Sequence, residues 1–482
     1  MTRRTTPRSL AVLLLLAAPG AARAQIDSAL LSKVVFNLES PGGKSLAMGG
    51  AFTAIADDAT AGLANPAGLG LLSTVEAGIS AKRSDDVVGL VTARSTATGS
   101  GFLTPYPPVR GVNSDIESAA SGLEFAGVVV PVSRRFVLGL TYAENLRFEG
   151  DPGDEGYQYV ELRDNRSGSV GTRRDFLFEY REYGPVSLTN RVLALSAAWR
   201  VTDRVRVGAG VTWNQTRFEL GGDAAGPHRI VSLAYLTPTI VDVRTLTLSV
   251  EDFAGQSWGG VLGVHADLVE GGAVSVGAVF RSASRAEGTL VLGGDVPSSL
   301  QGQERRRFTF SVPRDAALGL AVRPVPGLTV SAEGQWVDYG GVFGEELPVS
   351  SFDGLAGPPP GVPVESVLPD LSRAEDAFVP RVGLEYVATA GSTLLAFRLG
   401  YHREPAHGVT ADLYVTDANG ARYDVDDPPY SQAVRTVYDG GRADDRFSGG
   451  IGATVFRNLS FDLAFDVGRS GRVVAGSLFY RF

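Results

Sequence analysis

Between Leu193 and Asn214 the chain alternates, turns within four residues, and alternates again. Leu193, Leu195, Ala197 and Trp199 share one face of the first arm, with Ala194, Ser196, Ala198 and Arg200 on the other. After Val201-Thr202-Asp203-Arg204, the residues Val205, Val207, Ala209, Val211 and Trp213 oppose Arg206, Gly208, Gly210, Thr212 and Asn214. A period of two sends successive side chains to opposite faces of a strand. One face is apolar throughout and the other is small, polar or charged, so the pair needs different surroundings on its two sides. Each arm has about ten residues, the length of a tilted strand that crosses a bilayer.

The unit recurs along the chain. Short turns at 131–135, 201–204, 269–272, 323–327, 388–392 and 456–458 alternate with polar stretches at 96–121, 150–187, 221–256, 286–312, 340–378, 404–445 and 468–472. These six turns and seven loops join 14 strands. An even count with both ends on the short-turn side is the layout of bacterial outer-membrane barrels. The expected fold is therefore all-β, a 14-stranded antiparallel transmembrane β-barrel. A secreted sandwich or propeller also alternates. Against it, Trp199, Trp213, Trp336, Tyr339 and Tyr401 lie near strand ends as an interfacial girdle does, and the second face lacks a bulky core set. Parity directs Arg206, Arg323, Arg381, Arg398, Glu333, Glu385, Asp462 and Asp466 to the lumen. The last strand places Val474, Gly476, Leu478, Tyr480 and Phe482 on one face and ends on an aromatic residue, which resembles the signal read by the barrel assembly machinery.

The first 24 residues read as an export signal: Arg3, Arg4 and Arg8, an apolar core from Leu10 to Ala18, then Ala22-Arg23-Ala24. That core is too short for a spanning helix. Removing the signal, with its four arginines and no acid, takes the net charge from −9 to −13 and leaves 458 residues. The acidic balance argues against a nucleic-acid partner. No Cys is present, which excludes disulfides, thiolate metal sites and Cys nucleophiles. Of the lysines only Lys33, Lys44 and Lys82 occur.

Between signal and strands lies 41–70, rich in Gly and Ala and poor in charge. It contains Gly49-Gly50-Ala51, then Ile55-Ala56-Asp57-Asp58-Ala59, then Asn65-Pro66-Ala67. This ordered block resembles the N-terminal region of the FadL/TodX family of outer-membrane transporters for long-chain fatty acids and hydrophobic compounds. The resemblance continues through 73–95, Val312-Pro313-Arg314-Asp315, Phe397-Arg398-Leu399-Gly400-Tyr401 and the C-terminal strands. It implies a lumenal hatch over 25–72 ahead of a barrel over 73–482. It also implies ATP-independent passage of a hydrophobic ligand, captured at the outer loops and released sideways at a kink in the third strand. That strand is expected near 135–149, with Gly139 or Asn145 as the irregular position.

Several residues are candidate site members. Asp57 and Asp58 are either a latch onto lumen arginines or a helix or turn cap. Asn65-Pro66-Ala67 is expected to be a turn that places the hatch. Arg381, Arg398 and Arg206 are candidate carboxylate binders, since guanidinium suits bidentate contact; the alternative is an ionic brace of the wall. The histidines His228, His265, His402 and His407 lack a nucleophile-bearing motif, so neither catalysis, a cofactor nor a metal is expected. The expected partners are a hydrophobic small molecule and outer-membrane lipid, with the chain a monomer. A non-transporting scaffold barrel and a polar-solute porin are the competing expectations.

Overall fold

The computed structural model describes residues 38–95, 109–151, 157–165, 174–182, 186–220, 227–232, 239–294, 305–341, 370–374, 376–405, 409–412, 414–416, 422–424 and 443–482. The expected signal 1–24, the start of the expected hatch at 25–37, and His407 lie outside them.

Fourteen antiparallel strands close into a barrel. They are β1 (Glu76–Ser95), β2 (Val109–Pro131), β3 (Phe136–Asp151), β4 (Val186–Arg200), β5 (Val205–Leu220), β6 (Gln256–Asp267) and β7 (Val274–Arg281), followed by β8 (Asp315–Val325), β9 (Leu328–Val337), β10 (Ala377–Ala390), β11 (Thr393–Glu404), β12 (Asp444–Val455), β13 (Leu459–Val467) and β14 (Gly471–Arg481). Each pairs with its neighbours in sequence, and β1 closes on β14 from Glu76↔Arg481 to Asp86↔Gly471. Outward positions are large, apolar and exposed, as at Leu195, Leu262, Leu399 and Phe447. Inward positions on the same strands are mostly small, polar or charged, with a few apolar ones such as Leu188, Val192 and Val261. A midplane charge turned to lipid costs about 2–4 kcal/mol, which is why the alternation is enforced strand after strand.

Two details differ from the sequence reading. Tyr339 is buried in a 3₁₀ turn beyond β9, where strand parity no longer applies, so it is not part of a lipid-facing girdle. Trp258 is the more exposed ring, beside its register partner Trp213. The stretches expected as loops at 150–187, 221–256 and 286–312 carry further strands. Ordered Arg305–Val312, Ser284–Gly294, Thr239–Ala254, Pro227–Ser232, Arg174–Glu182, Tyr157–Asn165, they form a six-stranded sheet beyond the barrel's long-loop end. Their polar composition hides strands that no membrane forces to alternate.

Residues 38–72 lie inside the barrel. Two short helices, α1 (Gly43–Ala47) and α2 (Ala61–Ala64), and a 3₁₀ helix (Pro66–Leu71) are joined by tight turns and are nearly all buried. Met48, Phe52, Ile55, Leu69 and Leu72 form one core with Phe125, Val129, Val137 and Phe479 of the wall. Helices this short are marginal alone; the wall supplies what the segment lacks. The fit requires glycine on the wall. A Cβ at Gly208 would strike the backbone at Pro66 and Ala67, one at Gly277 the backbone at Thr53, and one at Gly400 the backbone at Met48 and Gly49.

Candidate functional site: the plug seat and the interrupted wall

The wall holds the segment mainly through its backbone. Glu333 accepts from the amides of Phe52 (3.0 Å) and Thr53 (2.8 Å), Glu76 from Ala59 (2.7 Å), and Glu124 from Gly42 (3.1 Å). In the opposite polarity, Arg281 donates to the carbonyls of Leu63 (3.0 Å) and Ala64 (2.8 Å) at the end of α2. Arg200 donates to Gly70 (2.7 Å), Ser196 to Gly62 (2.7 Å) and Ser331 to Ala51 (2.8 Å). Short helices leave most of their terminal amides and carbonyls unpaired. Carboxylates at amides and guanidinium at helix C-terminal carbonyls satisfy them with the favourable sign. The side chain of His265 bridges Ala54 O (3.1 Å) and Arg206 (3.2 Å).

Asp57 does not reach a wall arginine. Its carboxylate is held by Lys44 of the same segment, at 2.8 and 2.9 Å. Asp58 caps locally, accepting from the amide (2.9 Å) and hydroxyl of Thr60. Of the two expected roles for the pair, the structure places Asp58 in the cap and neither residue in a direct latch. The reason is distance along the surface: both acids sit on a turn whose nearest cation is Lys44. Burial, followed by the neighbouring carboxylates of Asp57 and Glu76, pushes the Asp58 carboxyl up to about 7.

Asn65, Pro66 and Ala67 form a seat anchor. Asn65 is extended (φ −159°, ψ 101°), as the following proline favours. Its side chain accepts from Ala67 N (3.2 Å) and donates to Thr53 O (2.9 Å) and to Val264 O of β6 (3.0 Å). Pro66 opens the 3₁₀ helix, where a missing amide costs nothing.

The three candidate arginines are not equivalent. Arg398 is gripped by Glu385 (2.7 Å) and Asp462 (2.6 Å). Arg206 is engaged by Asp267 (2.8 Å) and Asp203 O (3.2 Å). Arg381 packs under Gly50 with Glu39 at 3.6 Å, and its Nε lacks a partner. His402, the register partner of Arg381, lies between Glu39 (3.5 Å), Glu404 (3.7 Å) and Asp466 (3.7 Å). Arg381 and His402 therefore sit in one buried ionic layer. Arg398 lies in a second layer, and Arg206 on the opposite wall.

A further feature was only half legible in the sequence. The β2–β3 ladder runs from Pro131↔Val137 to Phe125↔Ala143 and resumes at Ser118↔Gly150; between these, 119–124 and 144–149 do not pair with one another. The interruption has two local causes. β2 carries an extra residue at Glu124, opposite the register shift at Ser80/Ala81 of β1. β3 carries one at Asn145, where its pairing with β4 slips between Glu144 and Leu146. A bulge bends its strand and breaks the ladder, and here two adjacent strands bend apart. Of the two positions expected to be irregular, Asn145 is the bulge, and Gly139 pairs regularly with Val129 and Ser196. Side chains patch the opening: Arg147, bound by Glu144, donates to Ser121 O (2.8 Å), and Ser118 accepts from Glu149 N (3.2 Å). On the lumen side of the opening two buried apolar patches are separated by one polar rung, in which Asn190 donates to Thr216 (2.9 Å). Phe148, Leu188 and Phe218 stand in register on β3, β4 and β5, all buried, with Ala143, Val192 and Leu63 of α2 below them.

An apolar outer face, a closed ring of fourteen strands and an internal segment across the lumen define a plugged transmembrane barrel. No protein-family model matches the chain, and no curated protein matches it in sequence. Solved structures do match in fold. A FadL homologue from Pseudomonas aeruginosa is 16% identical with a TM-score of 0.55, over 93% of this chain and 99% of that one. The toluene transporter TodX from P. putida is 14% identical with a TM-score of 0.52, over 92% and 99%. The toluene transporter TbuX from Ralstonia pickettii is 17% identical with a TM-score of 0.50, over 92% and 99%. At these identities the likeness is one of fold.

Proposed function

We propose that the protein is a non-enzymatic outer-membrane transporter of the FadL/TodX type, in a bacterium of Gram-negative type. It passes hydrophobic small molecules, hydrocarbon or fatty-acid-like. The supporting observation is the pairing of an interrupted β2–β3 ladder with the buried apolar row of Phe148, Leu188 and Phe218 behind it, above a seated plug. A ligand without charge loses little on reaching that row, about 25 cal/mol being gained per Å² of apolar surface buried. The plug denies it a straight route down the axis, and the opening offers one sideways. Arg147 is the residue that such a ligand must displace or pass.

The chain's lack of cysteine permits a direct test. Gly122→Cys with Leu146→Cys would staple the two unpaired segments. Uptake of a labelled hydrophobic ligand by cells carrying the oxidised double variant should fall to the level of cells without the protein, and return on reduction. Unchanged uptake in the stapled barrel would end the lateral reading. Absence of any hydrophobic-ligand binding by purified protein, with a protein partner retained instead, would favour a scaffold.

A further inference from the structure

Exposed arginines recur on the outer surface near the extracellular ends of the strands, and most have their own acid. Arg403 lies 3.8 Å from Asp445, and Arg314 is paired with Asp338. The seam where β1 closes on β14 is different. Arg83 binds one oxygen of Asp85 through Nε (3.1 Å) and Nη2 (2.9 Å), and Arg472 binds the other through Nε (3.0 Å). Two guanidinium groups thus share one carboxylate. They remain 63% and 69% exposed, and the N–H groups not turned to Asp85 have no partner among the described residues.

Their position fixes what surrounds them. Arg472 lies ten residues from the C-terminus on β14, opposite Asp85, and nine to eleven strand residues cross a bilayer. The cluster therefore sits at the outer headgroup layer. Immediately below it on the same strands and on β2, Val474, Ile79 and Leu123 are exposed and apolar. We propose that Arg83 and Arg472, positioned by Asp85, bind the phosphate of a lipid in the outer leaflet, whose acyl chains lie on that apolar surface. Guanidinium presents paired donors that match phosphate geometry, and a shared carboxylate fixes two of them side by side before the ligand arrives. The cluster carries one uncompensated positive charge, which a phosphate neutralises. The inference rests on the membrane placement of the barrel and not on transport.

The test uses the full-length barrel in detergent, stripped of lipid, with three probes: a phosphorylated, multiply acylated disaccharide glycolipid, the same lipid with its phosphates removed, and inorganic phosphate. The expected result is tight binding of the first probe alone. Arg83→Gln with Arg472→Gln should weaken it by about tenfold or more, since each charged hydrogen bond is worth roughly that factor. Arg83→Lys with Arg472→Lys should lie between, and Arg403→Gln should bind as the unaltered protein does. Heat-dependent gel mobility confirms that each variant is a folded barrel. Equal binding by the double Gln variant, or an equal loss in Arg403→Gln, would overturn the proposal. Competition by inorganic phosphate at the lipid's own concentration would reduce the site to one for free anions and overturn its lipid assignment.

Discussion

The two halves of the barrel wall hold the same plug by different means. From β3 to β8 the seat is small and mostly uncharged: Gly139, Ser196, Gly208, Gly263, Gly277 and Gly319 let the plug's backbone come close. The arginines that touch it there, Arg200 and Arg281, donate to carbonyls, and Arg281 is also paired with Asp315. From β9 to β14 the wall is ionic. Glu385, Arg398 and Asp462 form one buried layer, with Asp444, Arg446, Asp466 and His402 forming another. Buried ion pairs are costly to break singly, whereas close apolar contacts yield in small steps. The ionic half is therefore the stiffer wall, and it meets the plug through Glu333, through Lys44–Glu385 (3.8 Å) and by close approach at Gly383 and Gly400; the half beside the opening has the wall that yields more readily. The buried apolar row and the interrupted ladder both lie on that second side.

The largest test removes the plug from both halves at once. A barrel lacking 41–70 should conduct ions steadily in a planar bilayer where the intact protein is nearly closed; equal conductance would place the segment outside the permeation path. Next, Arg398→Ala strands Glu385 and Asp462 in the ionic half, and should lower unfolding stability in urea by about 3–5 kcal/mol. A cost as small as that of a surface pair would remove the distinction between the halves. Glu333→Ala should cost less, about 1–3 kcal/mol, for the buried amide of Thr53 left without an acceptor and that of Phe52 left with Gly50 O alone. It should show as raised hydrogen exchange at Phe52 and Thr53 with strand amides unchanged. The smallest effect is that of Asp58. Its carboxyl, raised by burial and by its acidic neighbours, favours the protonated folded form. Its contribution to plug stability is complete below the ordinary value of 3.8 and is lost as the pH rises to about 7. Asp58→Asn should flatten that dependence in the frequency of plug openings recorded electrically between these limits.

The barrel was legible because lipid on one side and a polar lumen on the other impose one period on every crossing strand. The turns at 201–204 and 456–458 fall where alternation pauses. The external sheet was not legible, since no such constraint acts on it. Nor were the plug's contacts, which join residues such as Phe52 and Glu333 that are 281 positions apart. The interrupted ladder did leave a trace. Inward residues on β3 run Thr141, Ala143 and then Leu146, Phe148, a slip of one position at Asn145 that parity counting through the strand exposes. The choice between latch and cap for Asp57 and Asp58 was not legible, because composition shows which charges exist and not which are nearest: Lys44, one of three lysines, lies close enough to take Asp57.

The first segment of the fold and the last strand depend on each other. Gly43 N donates to Ser477 Oγ of β14, Ala47 packs on Ala464 and Ala475, and the amide of Phe482 is bonded to Val75 O, three residues past the plug. The plug leaves the export machinery before any strand, yet part of its seat is the strand made last. It must therefore wait, unsupported on one side, until the ring is complete. It is then enclosed by the same step that seals β1 to β14. Such a molecule has no stable half-built form with a working stopper, so barrel closure and plug docking form a single late, cooperative event dominated by contacts distant in sequence.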